Sequence, residues 1–176
     1  RMSEIVIVMG FPASGKSTTV NQFTSQGYTR LNRDTHGCSM EELTKLADKY
    51  LTERDPLIVL DNLYPSVESR KSIIAVAKKH NIPIRCYMME TSMEDSMLNA
   101  CLRMMQKHGC IPDPKDFGKV NDPNTFPVAV IYKYRKEFQA PSVKEGFSQV
   151  VLVPFVRTWG PDYINKAIIV DYDGTL

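Results

Sequence analysis

The stretch Gly10-Phe11-Pro12-Ala13-Ser14-Gly15-Lys16-Ser17 decides which fold this chain is expected to adopt. Its spacing, G-x-x-x-x-G-K-S, is the phosphate-binding loop pattern. A run of β-branched residues at 5–8 precedes the stretch, and helix-compatible residues at 18–23 follow it. The sequence therefore predicts a strand over 4–9, a loop, and a helix over 15–25, which is the context in which this pattern binds phosphate.

The residue types in this loop match the needs of a bound polyphosphate. Gly10 and Gly15 let the backbone approach phosphate closely, and the loop amides point inward at the positive end of the following helix. Lys16 is expected to reach the β- and γ-phosphates, and the Ser17 hydroxyl to coordinate Mg²⁺. The alternative is a chance glycine turn. The predicted nucleotide contacts in this stretch are Gly10, Ala13, Ser14, Gly15, Lys16, Ser17 and Thr18.

The composition indicates one folded domain in a reducing compartment. The chain has 176 residues, 43% of them hydrophobic, and a net charge of +2, so a nucleic-acid site has to come from local placement of charge. Its four cysteines form no C-x-x-C pair, and with three histidines a zinc site is not expected. No stretch resembles a membrane span or a signal peptide. We therefore expect an intracellular protein, cytoplasmic or, in a eukaryote, nuclear.

The segment Asn32-Arg33-Asp34-Thr35 follows a short predicted strand. Open α/β sheets bind ligands at the carboxyl ends of their strands, so Asp34 is a candidate general base that takes the proton of an acceptor hydroxyl. The alternative is that Asp34 caps the amphipathic helix predicted over 40–53. Because Ser39 and Glu42 already fit a capping box for that helix, the functional interpretation is favoured.

A second candidate for the metal site is Asp61, which ends the apolar run at 57–60. This is the Walker-B form, whose Asp commonly supports the Mg²⁺ shell beside the loop Ser, here Ser17. The alternative is an Asp that caps the following turn. The sequence predicts Ser17 and Asp61 as the metal-site residues.

A helix predicted over 92–108 carries Asn99 and Arg103 on one face, because the two residues are four apart. In nucleotide kinases such a helix often belongs to a lid, and a lid Arg offsets charge on the phosphates in the transition state. The alternative is a solvated surface Arg. The following loop over 109–125 is rich in Pro, Asp, Asn and Gly, and we expect it to form part of an acceptor channel.

The helix predicted over 126–139 combines basic residues with tyrosines. Ile131, Tyr134 and Phe138 are expected on its buried face. The outward residues suit a phosphate backbone with stacked bases, or form an ordinary charged helix face. These residues are Tyr132, Lys133, Arg135 and Lys136.

The predicted elements combine into an α/β fold of the P-loop NTPase/kinase type, with a mostly parallel five-stranded sheet flanked by helices and a helical lid. Residues 1–158 are expected to form this kinase domain. Strands are predicted at 4–9, 28–32, 57–62, 84–89 and 150–153, and helices at 15–25, 40–53, 66–80, 92–108 and 126–139.

The end of the sequence, residues 168–176, is an apolar run that leads into D-x-D-G-T. This motif resembles the first motif of the haloacid-dehalogenase phosphatases. The resemblance implies that Asp171 attacks phosphorus and Asp173 acts as acid and base in a complete domain of that family. We interpret 159–176 as a linker and the start of a truncated phosphatase domain, and expect no phosphatase chemistry from these two residues here. The alternative is a chance strand and turn.

The kinase residues resemble those of the kinase module of the polynucleotide kinase–phosphatases, the enzymes that heal nucleic-acid ends. The N-R-D-T and Y-R-K-x-F-x-A-P segments are more specific for this family than the loop pattern. The resemblance covers about residues 4–155. It is carried by residues 10–17, residues 32–35, residues 60–62 with 66–71, and residues 134–141 with 145–148.

The resemblance implies transfer of the ATP γ-phosphate to the 5′-hydroxyl of DNA or RNA, on single strands or duplex ends, with ATP and Mg²⁺ as cofactors. It implies that Lys16 and Ser17 serve the phosphates and Mg²⁺, that Asp34 is the general base, and that Arg103 acts from the lid. Asn99 aligns with a lid asparagine near the nucleotide. A C-terminal phosphatase domain is the implied partner in the intact protein, and no membrane is expected.

Two other functions fit the loop pattern. One is a kinase of the same fold that phosphorylates a nucleoside, sugar or antibiotic. The other is a non-catalytic nucleotide-binding module. The basic helix with its tyrosines argues against the first, and the intact set of Lys16, Ser17, Asp34 and Arg103 argues against the second.

Overall fold

The computed structural model describes residues 3–53 and 56–158, so the D-x-D-G-T motif with Asp171 and Asp173 lies outside the described residues. No helix in the described part combines the length and the hydropathy that crossing a bilayer requires. The strands are β1 (Glu4–Met9), β2 (Thr29–Leu31), β3 (Leu57–Asp61), β4 (Ile84–Met89) and β5 (Gln149–Val153). The α-helices are α1 (Lys16–Ser25), α2 (Arg33–His36), α3 (Met40–Glu53), α4 (Val67–Lys79), α5 (Met93–His108) and α6 (Ala129–Glu137).

The five strands form one sheet in the order β2-β3-β1-β4-β5, and every neighbouring pair is parallel. The predicted P-loop α/β fold is confirmed, and the sheet is entirely rather than mostly parallel. The strand that leads into the phosphate-binding pattern lies at the centre. Because the chain builds the sheet on both sides of β1, the carboxyl end of β1 lies at the point where open parallel sheets form their ligand crevice.

The two faces of the sheet pack against different helices. Ile5 and Ile7 of β1 belong to a core cluster with residues of α3 and α4, whereas Val6 and Val8 belong to a cluster with α1. Neighbouring residues of a strand point to opposite faces, and all four of these side chains are fully buried. Burial on both faces explains why β1 is a continuous apolar run rather than an alternating pattern.

The lid consists of α5 and α6, which pack on each other and on the phosphate-binding loop. Ala100, Met104 and Ile131 form its small core, and Phe11 and Ala13 of the loop pack against that core. The loop is therefore covered by a helical layer of its own. The sequence predicted α5 as the lid, and in the structure α6 packs with it.

Two of the segments that resemble the family are joined by buried contacts. The side chain of Arg70 on α4 is fully buried and binds Glu145 through both Nε and Nη2, at 2.8 and 2.9 Å. Its Nη1 donates to the carbonyl of Tyr64 at 3.0 Å. Because a buried charge is stable only when it is paired and hydrogen-bonded, Arg70 and Glu145 have a structural role that fixes α4 against the chain before β5.

The helices differ from the predicted ones in two places. Residues 33–36 form the short helix α2, which the sequence did not predict. The last lid helix is shorter than the predicted range of 126–139. It ends at Glu137 because the amide of Gln139 donates to the carbonyl of Pro65, at 2.7 Å, instead of continuing the helix.

Candidate active site

The phosphate-binding loop is shaped by close backbone approach. A Cβ on Gly10 would lie 2.8 Å from Ser14 Oγ and 2.9 Å from Met89 Cβ, which is too close for any other residue type. Gly15 has a φ of 87°, in the left-handed region that favours glycine. Ala13 has a φ of 59°, which costs about 1–2 kcal/mol for a residue with a Cβ. The surrounding structure has to hold this conformation.

Neighbouring elements hold the loop through its carbonyl groups. The Thr91 hydroxyl, just after β4, donates to the Ser14 carbonyl at 2.6 Å. The Asn99 side-chain amide on α5 donates to the Ala13 carbonyl at 2.9 Å. The ring of Phe11 packs against that of Tyr134 on α6, with centroids 4.7 Å apart. Asn99 therefore lies at the loop, where the sequence predicted a nucleotide contact, and in this structure it fixes the loop backbone.

The Lys16 amino group lies inside the loop and donates to the carbonyls of Phe11 and Gly10, at 2.8 and 3.2 Å. Although the residue as a whole is only partly buried, the burial of its amino group lowers the pKa of Lys16 to about 8. The carboxylate of Asp61 opposes this shift, the guanidinium of Arg103 adds to it, and the carboxylate of Asp34 opposes it. The structure thus brings the other three predicted charged residues within electrostatic range of Lys16.

Asp34 lies in the first turn of α2 at the carboxyl end of β2. Asn32 caps this turn by accepting from the Thr35 amide at 2.9 Å, and its side-chain amide donates to the Asp61 carbonyl at 2.6 Å. The Arg33 amide donates to Asn62 Oδ1 at 3.1 Å. These contacts attach the turn that contains Asp34 to the end of β3. Two segments far apart in sequence therefore lie together at the carboxyl edge of the sheet.

The alternative in which Asp34 caps α3 is wrong. The Ser39 hydroxyl accepts from the Glu42 amide at 3.2 Å, and the Glu42 carboxylate accepts from the Ser39 amide at 2.7 Å. This reciprocal pair is the capping box that the sequence predicted for α3. The Asp34 side chain is instead 49% exposed, with the Arg33 guanidinium 3.7 Å from its carboxylate.

A cleft of about 400 Å³ opens beside Asp34. The turn of α2 and the residues after it form one wall, and the loop over 109–125 forms the other. The predicted acceptor loop therefore does meet the predicted base across an open space. The cleft is lined by Arg33, Asp34, Gly37, Cys38, Val120, Asn121, Asp122 and Pro123.

The predicted metal-site residues both offer oxygen to the loop region. Ser17 is exposed at the start of α1, and its hydroxyl forms no hydrogen bond with the described residues. Asp61 ends β3, and its side chain is only 5% exposed and forms an ion pair with Arg30. The alternative in which Asp61 caps the next turn is not what the structure has, because Ser66 caps α4. Hydroxyl and carboxylate oxygens are the ligands that Mg²⁺ prefers, so these two residues fit a magnesium site.

On the lid, Arg103 is exposed and its charge acts on Lys16. On α6, Ile131 and Tyr134 are buried as predicted. Phe138 is 37% exposed rather than buried, because the helix ends before it. Tyr132 is 53% exposed and is the tyrosine on this helix that can reach a ligand in solvent.

Several residues of the site were not found by sequence reasoning. Arg30 and Thr91 each contact a predicted site residue through a side chain, and the Asn62 side chain accepts from the amide of Arg33, next to Asp34. Arg30 belongs to a strand of three residues, and Thr91 follows β4 without a motif around it. The contacts of Arg30 and Thr91 depend on which strands lie side by side, and the residue types alone do not show this. Asn62 could have been found from the sequence, because it directly follows the predicted Walker-B residue Asp61.

Comparison with known proteins supports the P-loop α/β fold described above. A family profile described as an AAA domain, AAA_33, matches residues 5–100. The chain is 34% identical over 153 residues to a bifunctional polynucleotide phosphatase/kinase of Schizosaccharomyces pombe, a match that covers 86% of this chain and 34% of that protein. The chain spans about a third of the length of the curated relatives it matches.

Solved structures share the fold at low sequence identity. Kti12 of Chaetomium thermophilum, in complex with ADP-AlF3, superimposes with a TM-score of 0.63 at 13% identity, over 86% of this chain and 89% of that one. A gluconokinase of Sinorhizobium meliloti 1021 gives 0.57 at 14% identity, over 90% of this chain and 86% of that one. At such identities the likeness is one of fold, and it agrees with the parallel sheet and flanking helices.

Proposed function

We propose that this chain, which belongs to the AAA_33 family of AAA domains, is a kinase. It uses ATP to phosphorylate the 5′-hydroxyl end of DNA or RNA. The name of the Schizosaccharomyces pombe relative gives the polynucleotide substrate class, and that relative is matched over most of this chain. We further propose that residues 159–176 are a linker and the start of a phosphatase domain in the intact protein.

One observation carries the proposal. The exposed carboxylate of Asp34 lines an open cleft and at the same time acts electrostatically on Lys16 of the phosphate-binding loop. A phosphotransferase needs an acceptor space that opens onto the transferred phosphate, with a base at the junction. The cleft is also open to solvent, so it does not enclose a small molecule on all sides.

In the proposed reaction the 5′-hydroxyl oxygen attacks the γ-phosphorus, and the bond from this phosphorus to the β–γ bridging oxygen breaks, so that ADP leaves. Asp34 takes the hydroxyl proton. Lys16 and Arg103 offset the negative charge that spreads over the γ-phosphoryl oxygens. Mg²⁺, held by Ser17 and Asp61, would add to this neutralisation when bound.

One basic side chain in the cleft can bind a phosphate of the acceptor, while the carboxylates of Asp34 and Asp122 line the same space. Arg33 is the basic residue that lines the cleft, and its side chain is 56% exposed. It is available for a phosphate of the acceptor once its contact with Asp34 is replaced. On α6, the exposed Tyr132 with its basic neighbours offers a stacking surface beside positive charge.

The direct test is transfer of label from γ-labelled ATP, with Mg²⁺, to 5′-hydroxyl DNA and RNA oligonucleotides. We expect labelled 5′ ends with the wild-type chain, labelling that is slower by about a hundredfold or more with Asp34→Asn, and no labelling of oligonucleotides that already carry a 5′-phosphate. Nucleosides, sugars and antibiotics serve as competing acceptors. Labelling of one of these in place of the oligonucleotides would contradict the proposal and favour a small-molecule kinase. ATP binding without transfer to any acceptor would favour a non-catalytic module.

The acceptor cleft can be tested separately through Cys38, which lines it and is partly exposed. In a Cys101→Ser/Cys110→Ser background, we expect a 5′-hydroxyl oligonucleotide to slow the reaction of Cys38 with a maleimide. Burial raises the pKa of the remaining Cys86 thiol to about 12, so that thiol does not react. A variant that keeps Cys110 instead of Cys38 is the matched control, because Cys110 is exposed outside the cleft. Equal labelling rates of Cys38 with and without the oligonucleotide would exclude this cleft as the acceptor site.

A further inference from the structure

The ion pair between Arg30 and Asp61 lies on the face of the sheet that α1 covers. Arg30 is in register with Val59, and Asp61 is in register with Val8. Val59 and Val8 both belong to the core cluster that packs against α1. Because paired residues of neighbouring strands point to the same face, Arg30 and Asp61 lie under the start of α1, where the phosphate-binding loop ends.

The two side chains are held differently. The Asp61 side chain is 5% exposed, and the Arg30 side chain is 37% exposed. Arg30 Nη2 donates to Asp61 Oδ2, and the hydrogen bonds of the described residues do not reach Oδ1. Arg30 Nε is buried and has no hydrogen-bond partner within the described residues. The guanidinium therefore holds one carboxylate oxygen and leaves the other available, while one of its own donors is unsatisfied.

A divalent ion at this place would need ligands beyond the side chains that the structure describes. Within residues 3–53 and 56–158 no group of three or more His, Cys, Asp or Glu side chains could hold a metal ion. At the end of the loop, Ser17 and Asp61 supply two oxygen ligands, whereas Mg²⁺ takes six. The phosphates of a bound nucleotide and water have to supply the rest.

We propose that Arg30 is a competing cation that keeps Asp61 from binding a divalent ion until a nucleotide occupies the loop. The inference rests on the nucleotide site of the proposed function. Without nucleotide, an ion approaching Asp61 meets the positive charges of Arg30 and Lys16. The negative charge of the phosphates reverses this balance, so the metal binds as part of the nucleotide complex. An empty loop that holds a metal ion is thereby disfavoured.

The test is a titration with Mn²⁺, followed by its electron paramagnetic resonance signal, with and without ADP. Without ADP, we expect Arg30→Met to bind Mn²⁺ about tenfold or more tightly than the wild-type chain, because a unit charge a few ångströms from a divalent ion has been removed. Arg30→Lys keeps the charge and should remain close to wild type. Adding Asp61→Asn to Arg30→Met should remove the gain.

Arg85→Met is the matched control. It breaks the ion pair of Arg85 with Glu4 at the amino end of the same sheet, and should leave Mn²⁺ binding unchanged. Unchanged or weaker Mn²⁺ binding by Arg30→Met without ADP would overturn the proposal, as would an equal gain in Arg85→Met. If Arg30→Met does not fold, judged by circular dichroism, Arg30→Gln takes its place. The titration involves no acceptor, so its outcome is independent of polynucleotide phosphorylation, whereas a failure of the wild-type chain to bind ADP would count against the nucleotide site itself.

Discussion

The phosphate-binding loop and the acceptor cleft meet at one edge of the sheet but are built in opposite ways. The loop is contiguous in sequence, and α5, α6 and the end of β4 hold it through Ala13, Ser14 and Phe11. The cleft is formed by segments more than eighty residues apart, around 33–38 and 120–123, and its central carboxylate on Asp34 is half exposed.

This difference indicates a division of work between the two regions. A loop that must wrap a polyphosphate gains from being formed in advance, because ordering it on binding would weaken affinity. A cleft that receives the end of a polynucleotide has to stay open. Substitutions in the loop should therefore weaken nucleotide binding, and substitutions in the cleft should slow phosphoryl transfer. Arg103 on the lid should act on the transferred phosphoryl group, which lies between the two regions.

The largest effect is expected for Arg103→Ala. An arginine that offsets charge on a transferred phosphoryl group contributes about 10³–10⁵ in rate, so we expect a loss of kcat in this range. Lys45→Ala, which removes an exposed cation of α3 outside the lid, is the control and should keep its activity. A similar loss in both variants would mean that the reaction depends on the general positive charge of the protein rather than on Arg103.

The next largest effect is expected for Asp34→Asn. Loss of a positioned general base should lower kcat about 10²–10⁴-fold. Because Asp34 lies in the cleft and not in the loop, the affinity for a non-hydrolysable ATP analogue, measured by calorimetry, should not change. Asp113→Asn, which changes an exposed carboxylate of the 109–125 loop, should retain activity. A large loss of analogue affinity in Asp34→Asn would break the division between the two regions.

A smaller effect is expected from pH on nucleotide binding. The pKa of Lys16 is lowered to about 8 in the ligand-free loop, so its amino group is charged below that pH and loses its proton above it. Bound phosphates favour the charged form, which predicts proton uptake on binding and about tenfold weaker binding of the analogue at pH 9 than at pH 7. In Lys16→Met this difference should vanish. An equal pH dependence in both proteins would assign it to another group.

The smallest effect is expected for Asn99→Ala. The hydrogen bond from Asn99 to the Ala13 carbonyl is worth about 1 kcal/mol, so loss of this contact should weaken analogue binding about fivefold. Asn21→Ala, on the exposed side of α1, is the control and should bind like wild type. Unchanged binding in Asn99→Ala would mean that the loop keeps its shape without the lid.

Sequence reasoning found the loop because all of its determinants are local. The glycine spacing and the apolar run before it predicted β1, the loop and α1 within a residue of their bounds. The capping box of Ser39 and Glu42 also depends on residues three apart, and it was correct. The missed helix α2 has local signals too, Asn32 as its N-cap and Gly37 in the left-handed region after it, but it is only one turn long. Its place is fixed by contacts with Asp61 at the end of β3 and with Asn62 just after it.

The sequence by itself determined the central strand, the shape of the phosphate-binding loop and the candidate charged residues, because spacing along a chain sets local backbone geometry. Only the tertiary structure decided how those residues meet. The order of the parallel strands put Asp34 and Asp61 at one edge, paired Asp61 with Arg30, and brought the loop over 109–125 across from Asp34. These relations arise from strand pairing and burial between distant segments, which no local pattern in the chain encodes.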